Sequence, residues 1–380
     1  MLKIKLKLSL IMLLIFLLQA NSVLANKREN IIKNTIQNYL HLKNEAKVTG
    51  DTNNLETVLK KFTNNIDILN NSISGAEREY NAIHKNNGGY IKADTTVRFI
   101  SKPQELKNGN VSVLVEENSV LYLSAEGGPS FTQELIEHLI TLSPKNEEGW
   151  EIISDLIQNG FKSQLPIDAS EEIPLLDPTL DHPIDTTIEP TILELNNMRP
   201  IDSSSTKESL SPSSLSQSYT GQYYYPSYSA YYARKWAVSP NPDYRYFVDN
   251  DCTNFISQAL KYGGWPDYPG YYTSWYAWWY TWPVQGRAWI NAHAFYVFTR
   301  DVNRGYIARS FAEMQVGDIL QIDWDRDGHI DHSGIVTSKD VVGTIYVSYH
   351  SNNTLDKDIN VLVAAFPNAN WYGWRMWNWN

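Results

Sequence analysis

The sequence is almost free of cysteine, since Cys252 is the only one in 380 residues. A chain with a single cysteine forms no internal disulfide, so packing alone must stabilise its fold. Beyond the amino terminus no apolar run approaches the length of about 20 residues that spans a bilayer. Lysine- and arginine-rich runs are also missing there, and the formal net charge is −10. These absences argue against membrane-spanning segments and against nucleic acid as a partner.

The amino terminus predicts export. Lys3, Lys5 and Lys7 precede an apolar run at residues 8–18, and a small residue, Ala25, stands at the expected cleavage point. We therefore expect residues 1–25 to be a secretory signal peptide, the alternative being an uncleaved anchor. The mature protein is expected to be a monomer that is extracellular or associated with the cell wall.

Length and composition predict two domains, at roughly 150 residues for each. Residues 27–165 show helical patterns followed by strand patterns, which predicts an α+β accessory domain. By element order this half resembles the cone-shaped NTF2-like architecture, which implies a binding or spacing role. Residues 166–220 are rich in proline, serine and acidic residues, which favours an extended linker. The second domain, residues 221–380, holds 12 of the 13 tryptophans and 19 of the 24 tyrosines.

Cys252 lies in a stretch, residues 249–264, that predicts a helix. Apolar residues recur there at helical spacing, and Gly263 follows as a C-terminal stop. Asp251 is a residue type common at N-caps, so we expect Cys252 in the first turn. The positive end of the helix dipole favours thiolate there, and a nearby imidazolium would lower the thiol pKa further. The alternative is a small buried apolar residue, but the polar residues around Cys252 argue against it.

Two histidines fall on predicted neighbouring strands. Residues 317–323, 330–337 and 344–350 alternate as strands, which places His332 and His350 on adjacent, antiparallel strands. If both face the helix that carries the cysteine, His332 can act as a general base and His350 can orient it. A base needs hydrogen-bond reach of the nucleophile, and its second ring nitrogen needs an acceptor.

Tryptophan is unusually frequent in residues 275–289. Five tryptophans fall within fifteen residues: Trp275, Trp278, Trp279, Trp282 and Trp289. One helix cannot bury so many, so we expect some to be core and others to line a substrate groove, where aromatic faces stack on sugars and peptide side chains. We predict substrate contacts for Trp275, Trp278 and Trp279.

An acidic turn separates the first two strands. Asp323, Asp325, Asp327 and Gly328 match the opening of a calcium loop, D-x-D-x-D-G. The glutamate expected at the twelfth position is replaced by Gly334, and an Asp/Gly hairpin turn explains the same residues without metal. We therefore expect no cofactor and no metal, with calcium as the alternative.

Several of these segments together resemble the "putative amidase domain" family of Gram-positive secreted proteins. They are residues 251–258, 263–264, 317–318, 331–337 and 350–351. That family is similar to the papain-like NlpC/P60 and CHAP groups, in which a cysteine at a helix start precedes a histidine on a strand. The resemblance implies a papain-like fold for this half, with an amino-terminal helix packed on an antiparallel sheet.

The resemblance also implies roles for individual residues. Cys252 resembles the nucleophile, His332 the general base and His350 the third, orienting residue, with Asn352 and Asn353 as runners-up. The implied reaction is acyl transfer from an amide to the thiolate, followed by hydrolysis. The backbone N–H of Cys252 could supply one oxyanion donor.

The second oxyanion donor is not identified by the sequence, and Tyr244 and Asn254 are candidates for it or for contacting substrate. The implied substrate is a cell-wall peptide or a related amide, and a narrower alternative is a peptidase acting on proteins or free peptides. The competing class is a non-catalytic module that binds wall glycan or peptide through its aromatic surface.

Overall fold

The computed structural model describes residues 2–84, 88–146, 149–157, 224–248 and 250–376, except for the side chains of residues 2–24 and 146. The predicted linker, residues 166–220, lies outside the described residues. The predicted signal peptide falls in the part of the first helix whose side chains are not described, so it stays a prediction. Among the described residues, no helix combines the length and the apolar character needed to cross a membrane.

The described residues contain eight α-helices, three before the first strand and five after the fifth. They are α1 (Leu2–Thr49), α2 (Thr52–Leu59), α3 (Ile66–His84), α4 (Pro226–Trp236), α5 (Cys252–Tyr262), α6 (Arg287–Ile290), α7 (Ala292–Asp301) and α8 (Ile359–Ala365). The strands are β1 (Tyr90–Phe99), β2 (Gln104–Glu105), β3 (Val111–Leu123), β4 (Phe131–Asn146), β5 (Gly149–Ile157), β6 (Tyr280–Thr281), β7 (Val284–Gln285), β8 (Gly305–Ile307), β9 (Ile319–Asp323), β10 (His332–Lys339), β11 (Ile345–Tyr349), β12 (Thr354–Asp358) and β13 (Asn370–Met376).

Eleven of these strands form one antiparallel sheet in the order β1-β3-β4-β12-β11-β10-β9-β13-β8, with β2 paired to β3 and β5 paired to β4. Strands β6 and β7 form a separate hairpin. The predicted combination of helices with a large antiparallel sheet is therefore confirmed. The finer predictions, a papain-like second half and an NTF2-like first half, stay predictions.

Strand β4 connects the two halves of the sheet. Its first residues pair with β12, where Thr354 lies opposite Glu134, and its later residues pair with β5. Next to this junction the ammonium group of Lys357 contacts the buried carboxylates of Glu79 and Glu134. The division into residues 27–165 and 221–380 stays a prediction, but the hydrogen-bonded sheet is continuous across it.

Local sequence explains the helix that carries the cysteine. Asp251 is the N-cap residue of α5, and the backbone N–H of Gly263 bonds the carbonyl of Ala259 to end the helix. The apolar residues at helical spacing, Phe255, Ile256, Ala259 and Leu260, have no exposed surface. Helix α5 thus packs its apolar face into the core and presents its first turn to strand β10.

A cluster of aromatic rings forms the core against α5. Trp265, Trp278 and Trp289 are almost completely buried, together with Phe295 and Phe298 from α7. The rings of Trp278 and Trp289 lie 4.8 Å apart between centroids, within the range that favours aromatic pairs. Burying each aromatic side chain stabilises the fold by roughly 1.5–3 kcal/mol. This cluster therefore holds the apolar face of α5 in the core.

Candidate active site

Cys252 is the first residue of α5 and has no exposed surface. Its sulfur nevertheless has polar surroundings. Sγ lies 3.6 Å from Oγ1 of Thr253 and 4.0 Å from Oδ1 of Asn250. The predicted helix start is therefore confirmed, and the sulfur is not enclosed by hydrocarbon alone.

Burial raises the pKa of the Cys252 thiol to about 11. The contacts with Thr253 and the backbone of Ser333 act in the opposite direction, but they are outweighed. The expectation that the helix dipole and an imidazolium favour the thiolate does not match this raised pKa, because removal from water disfavours a charged sulfur. At neutral pH the group is a thiol.

His332 is the first residue of β10 and pairs with Ile322 of β9. The residues that follow the cysteine and the histidine meet directly, since Oγ1 of Thr253 lies 3.2 Å from Oγ of Ser333. Because Cys252 and His332 directly precede these two residues, this contact brings their backbone segments close together. The start of the helix and the start of the strand are thus brought together.

The imidazole of His332 is 1% exposed, and burial lowers its pKa to about 3. Its ring packs against two aromatic rings, with centroid distances of 5.9 Å to Trp324 and 5.3 Å to Tyr349. The ring is therefore neutral at physiological pH, which is the protonation state that a general base requires.

His350 follows β11, and both of its ring nitrogens lie within hydrogen-bond distance of acceptors. Nδ1 lies 2.5 Å from Oδ2 of Asp251, and Nε2 lies 2.8 Å from the carbonyl oxygen of Trp236. The ring also stacks on Phe255 at a centroid distance of 4.1 Å. This arrangement does not match the predicted orientation of His332 by His350, because neither nitrogen remains for a bond to another imidazole.

Two residues considered as the orienting alternative, Asn352 and Asn353, lie in the turn that leads to β12. In each, the side-chain oxygen Oδ1 is buried and accepts no hydrogen bond from the described residues. An acceptor of this kind is what the second nitrogen of a catalytic imidazole requires.

Asn254 is fully buried and acts within the fold. Nδ2 donates to the carbonyl oxygen of Arg245 and to Oδ1 of Asp251, and Oδ1 accepts from Nε1 of Trp289. Contact between Asn254 and substrate stays a prediction, and in this structure its amide group bonds within the fold. Tyr244 is half-buried between Tyr280 and Trp289, at centroid distances of 4.8 Å and 6.1 Å.

The tryptophan run divides between core and surface. Trp278 is fully buried, with Nε1 donating to Oγ of Ser257, so it lies in the core in this structure and its contact with substrate stays a prediction. Trp275 is half-buried beneath the guanidinium of Arg287, 3.9 Å from its ring, and Trp279 is half-buried with Nε1 bonded to the carbonyl of Gly270. The exposed tryptophan of this region is Trp282, at 63%.

Asp251 is the residue whose role the sequence did not indicate. Its carboxylate accepts from the N–H of Phe247, from Asn254 and from His350, and it makes no side-chain cap to α5. The residue type had suggested only an N-cap. The sequence around Asp251 could not reveal that it pairs with His350, because His350 lies 99 positions later in the chain.

Comparison with known proteins finds a family match over the part of the chain that contains Cys252, His332 and His350. Residues 223–374 match the sequence model of the family described as "Putative amidase domain". In Bacillus subtilis (strain 168), "Uncharacterized protein YjcM" is 36% identical over 143 residues, 35% of this chain and 32% of that protein. "Uncharacterized protein YhbB" from the same organism is 36% identical over 114 residues, 29% of this chain and 35% of that protein.

The chain thus spans about a third of the length of these relatives. No solved structure matches it significantly. The predicted resemblance to the amidase family is confirmed for the carboxyl-terminal half, whereas the relation to the NlpC/P60 group stays a prediction.

Proposed function

We propose that the carboxyl-terminal half is a cysteine amidase in which Cys252 attacks an amide carbonyl and His332 serves as the base. One observation carries this proposal: Oγ1 of Thr253 lies 3.2 Å from Oγ of Ser333, so the residues that follow Cys252 and His332 are in direct contact. The family match over residues 223–374 supports amide hydrolysis as the reaction class. A papain-like fold and the NlpC/P60 relation belong to the same proposal.

The protonation states argue against a preformed thiolate–imidazolium pair, so in the proposed mechanism the proton moves only as the substrate is attacked. Cys252 is a thiol and His332 is neutral in the resting conformation, because burial shifts both pKa values toward the uncharged forms. The thiol proton passes to the imidazole as sulfur bonds to the carbonyl carbon. The imidazole then gives that proton to the departing nitrogen as the C–N bond breaks. Water, deprotonated by His332, hydrolyses the thioester and regenerates the thiol.

The start of α5 is suited to stabilise the oxyanion. The Asp251 carboxylate bonds Phe247, Asn254 and His350 and makes no side-chain cap to this helix. The first N–H groups of α5, including that of Cys252, therefore point along the helix axis without that anionic cap. Backbone donors at a helix start are a common oxyanion site.

Access to the sulfur requires a local opening, because Cys252 and His332 have almost no exposed surface. This same burial favours a second candidate function, a non-catalytic module that binds wall glycan or peptide. Such a module would use exposed aromatic side chains, and Tyr271 and Trp282 are 67% and 63% exposed. The proposed partner is cell-wall peptide or glycan, which the protein meets after secretion. It would be the substrate of the amidase or the ligand of the binding module.

Digestion of purified cell wall and of free peptides by the full chain tests the first proposal. New amino termini identified by mass spectrometry would establish amide hydrolysis and name the bond. Cys252→Ala and His332→Ala should each abolish it while the circular dichroism spectrum is retained, and His41→Ala, at an exposed histidine of the other half, is the matched control. Wall binding without new termini in the parent protein would favour the binding module.

A further inference from the structure

The turn between β9 and β10 gathers three carboxylates. Asp323 ends β9, and Asp325 and Asp327 follow in the turn. One carboxylate oxygen from each residue lies within 4.8 Å of the others. Among the described residues, no other group of three or more acidic, histidine or cysteine side chains is close enough to hold a metal ion.

Asp323 distinguishes this turn from an ordinary acidic loop. It has no exposed surface, and its Oδ2 accepts from the N–H of Gly328 at 3.2 Å and from Nδ2 of Asn370 at 3.4 Å. Its other oxygen, Oδ1, is also buried, and no hydrogen-bond donor among the described residues reaches it. A buried carboxylate oxygen without a donor is costly unless a cation or water occupies the place beside it.

Asx turns explain the two exposed residues but not Asp323. Oδ1 of Asp325 accepts from the N–H of Asp327, and Oδ1 of Asp327 accepts from the N–H of His329. Among the described residues, the ion pair formed by these three aspartates is that of Asp327 with the exposed His329, whose Nδ1 lies 3.4 Å away.

We propose that Asp323, Asp325 and Asp327 bind Ca²⁺, with Oδ1 of Asp323 as the buried ligand. Clustered hard oxygen donors of this kind suit Ca²⁺, and the spacing D-x-D-x-D-G places three side chains on one ion. Gly334 stands where a bidentate glutamate would complete the loop, so backbone carbonyls and water supply the remaining ligands. The expected Kd is about 10⁻⁴–10⁻³ M, the range of extracellular calcium modules.

The bound ion would brace the turn that leads into His332. The N–H of Asp331 bonds the carbonyl of Ile322 at 2.9 Å, and Oδ2 of Asp331 accepts from the N–H of Trp324 at 2.7 Å. The turn is thus tied at both ends to the strands that carry Asp323 and His332. A positioning effect of calcium on hydrolysis rests on the proposed function, whereas calcium binding itself does not.

Calorimetric titration of CaCl₂ into the chelator-treated full chain tests the site directly. Terbium is a second probe, because Trp324 lies between Asp323 and Asp325 in the sequence and can sensitise the luminescence of a bound terbium ion. We expect saturable heat, a rise in the unfolding temperature with calcium, and terbium luminescence that calcium displaces. Asp325→Asn and Asp327→Asn should each weaken binding at least tenfold, and Asp67→Asn, at an exposed aspartate of α3, should leave it unchanged.

Two results would overturn the proposal. One is the absence of heat, stabilisation and terbium luminescence in the parent protein at roughly 10 mM calcium, tenfold above the weak end of the expected range. The other is binding that survives the double substitution of Asp325 and Asp327. Displacement by equimolar Mg²⁺ would overturn the assignment to calcium, since the irregular cluster does not offer the octahedral site that Mg²⁺ requires.

Discussion

Nδ1 of His350 lies 2.5 Å from Oδ2 of Asp251, the residue that directly precedes the candidate nucleophile Cys252. Both His350 and Asp251 are buried. The other ring nitrogen faces the carbonyl oxygen of Trp236 at 2.8 Å. These two buried contacts tie the end of α4 and the end of β11 to the start of α5.

Replacing His350 by alanine should therefore destabilise the fold. Removing one partner of a buried hydrogen-bonded pair leaves the other, here the side chain of Asp251, without that bond, which costs about 1–3 kcal/mol. Urea unfolding of His350→Ala measures this loss. Adding Asp251→Asn to that variant should recover part of it, because the carboxylate that lost its partner is then gone. A variant as stable as the parent protein would show that the pair does not hold the helix start.

Much of the site region was predictable from local sequence. The helix of Cys252 follows from a polar N-cap, an apolar stripe and a terminal glycine, all within sixteen residues. The strands that carry His332 and precede His350 follow from alternation, and their antiparallel pairing through β10 and β11 is present. These are short-range patterns, so the sequence alone contains them.

The remaining elements depend on partners far along the chain. Strand β12 has the sequence of residues 354–358, which is polar and charged, yet it is completely buried. Lys357 is buried there because Glu79 and Glu134 reach it, 278 positions away in the first case. The tryptophans show the same limit, since Trp278 and Trp282 have the same residue type and opposite exposure. Tertiary packing, which periodicity does not encode, decides both cases.

The reactivity of the thiol offers a second prediction. Burial raises the pKa of Cys252 from 9.0 to about 11, so about 100-fold less thiolate is present at pH 7 than in an unperturbed thiol. Iodoacetamide should modify the native chain at least that much more slowly than the urea-unfolded chain. Mass spectrometry gives both rates without ambiguity, because the chain has one cysteine. Equal rates at pH 7 would mean that burial neither raises the pKa of this thiol nor shields it in the native state.

A third prediction concerns the pH dependence of stability. Burial lowers the pKa of His332 from 6.5 to about 3, so between these values the unfolded chain binds a proton that the native chain does not. The stability due to the neutral ring is complete above about pH 6.5 and is lost as the pH falls toward 3. Each proton contributes a slope of about 1.4 kcal/mol per pH unit.

Urea unfolding at pH 4, 5 and 6 tests this difference in proton binding. His332→Gln should show a slope smaller by about one proton than that of the parent chain, and His41→Gln, at an exposed histidine, should keep the parent slope. Identical slopes for the parent and His332→Gln would mean that His332 takes up its proton equally in both states.

The junction between the two halves of the sheet supplies the last prediction, through Lys357. Its ammonium group contacts Glu79 and Glu134 beside the pairing of β4 with β12. Burial alone would raise the pKa of Glu79, but Lys357 and Lys47 lower it to about 2. The stability due to this carboxylate is therefore present above about pH 4.5 and is lost as the pH falls toward 2.

Lys357→Met should accordingly cost about 3–5 kcal/mol of unfolding free energy at pH 7, because two buried carboxylates lose a cation. The loss should shrink by about 2 kcal/mol at pH 3, where the variant protonates Glu79 while the parent chain still keeps it ionised. Lys61→Met, at an exposed lysine, is the matched control and should change stability by less than about 0.5 kcal/mol. A loss that is the same at both pH values would mean that Lys357 contributes by packing its aliphatic stem rather than by pairing its charge.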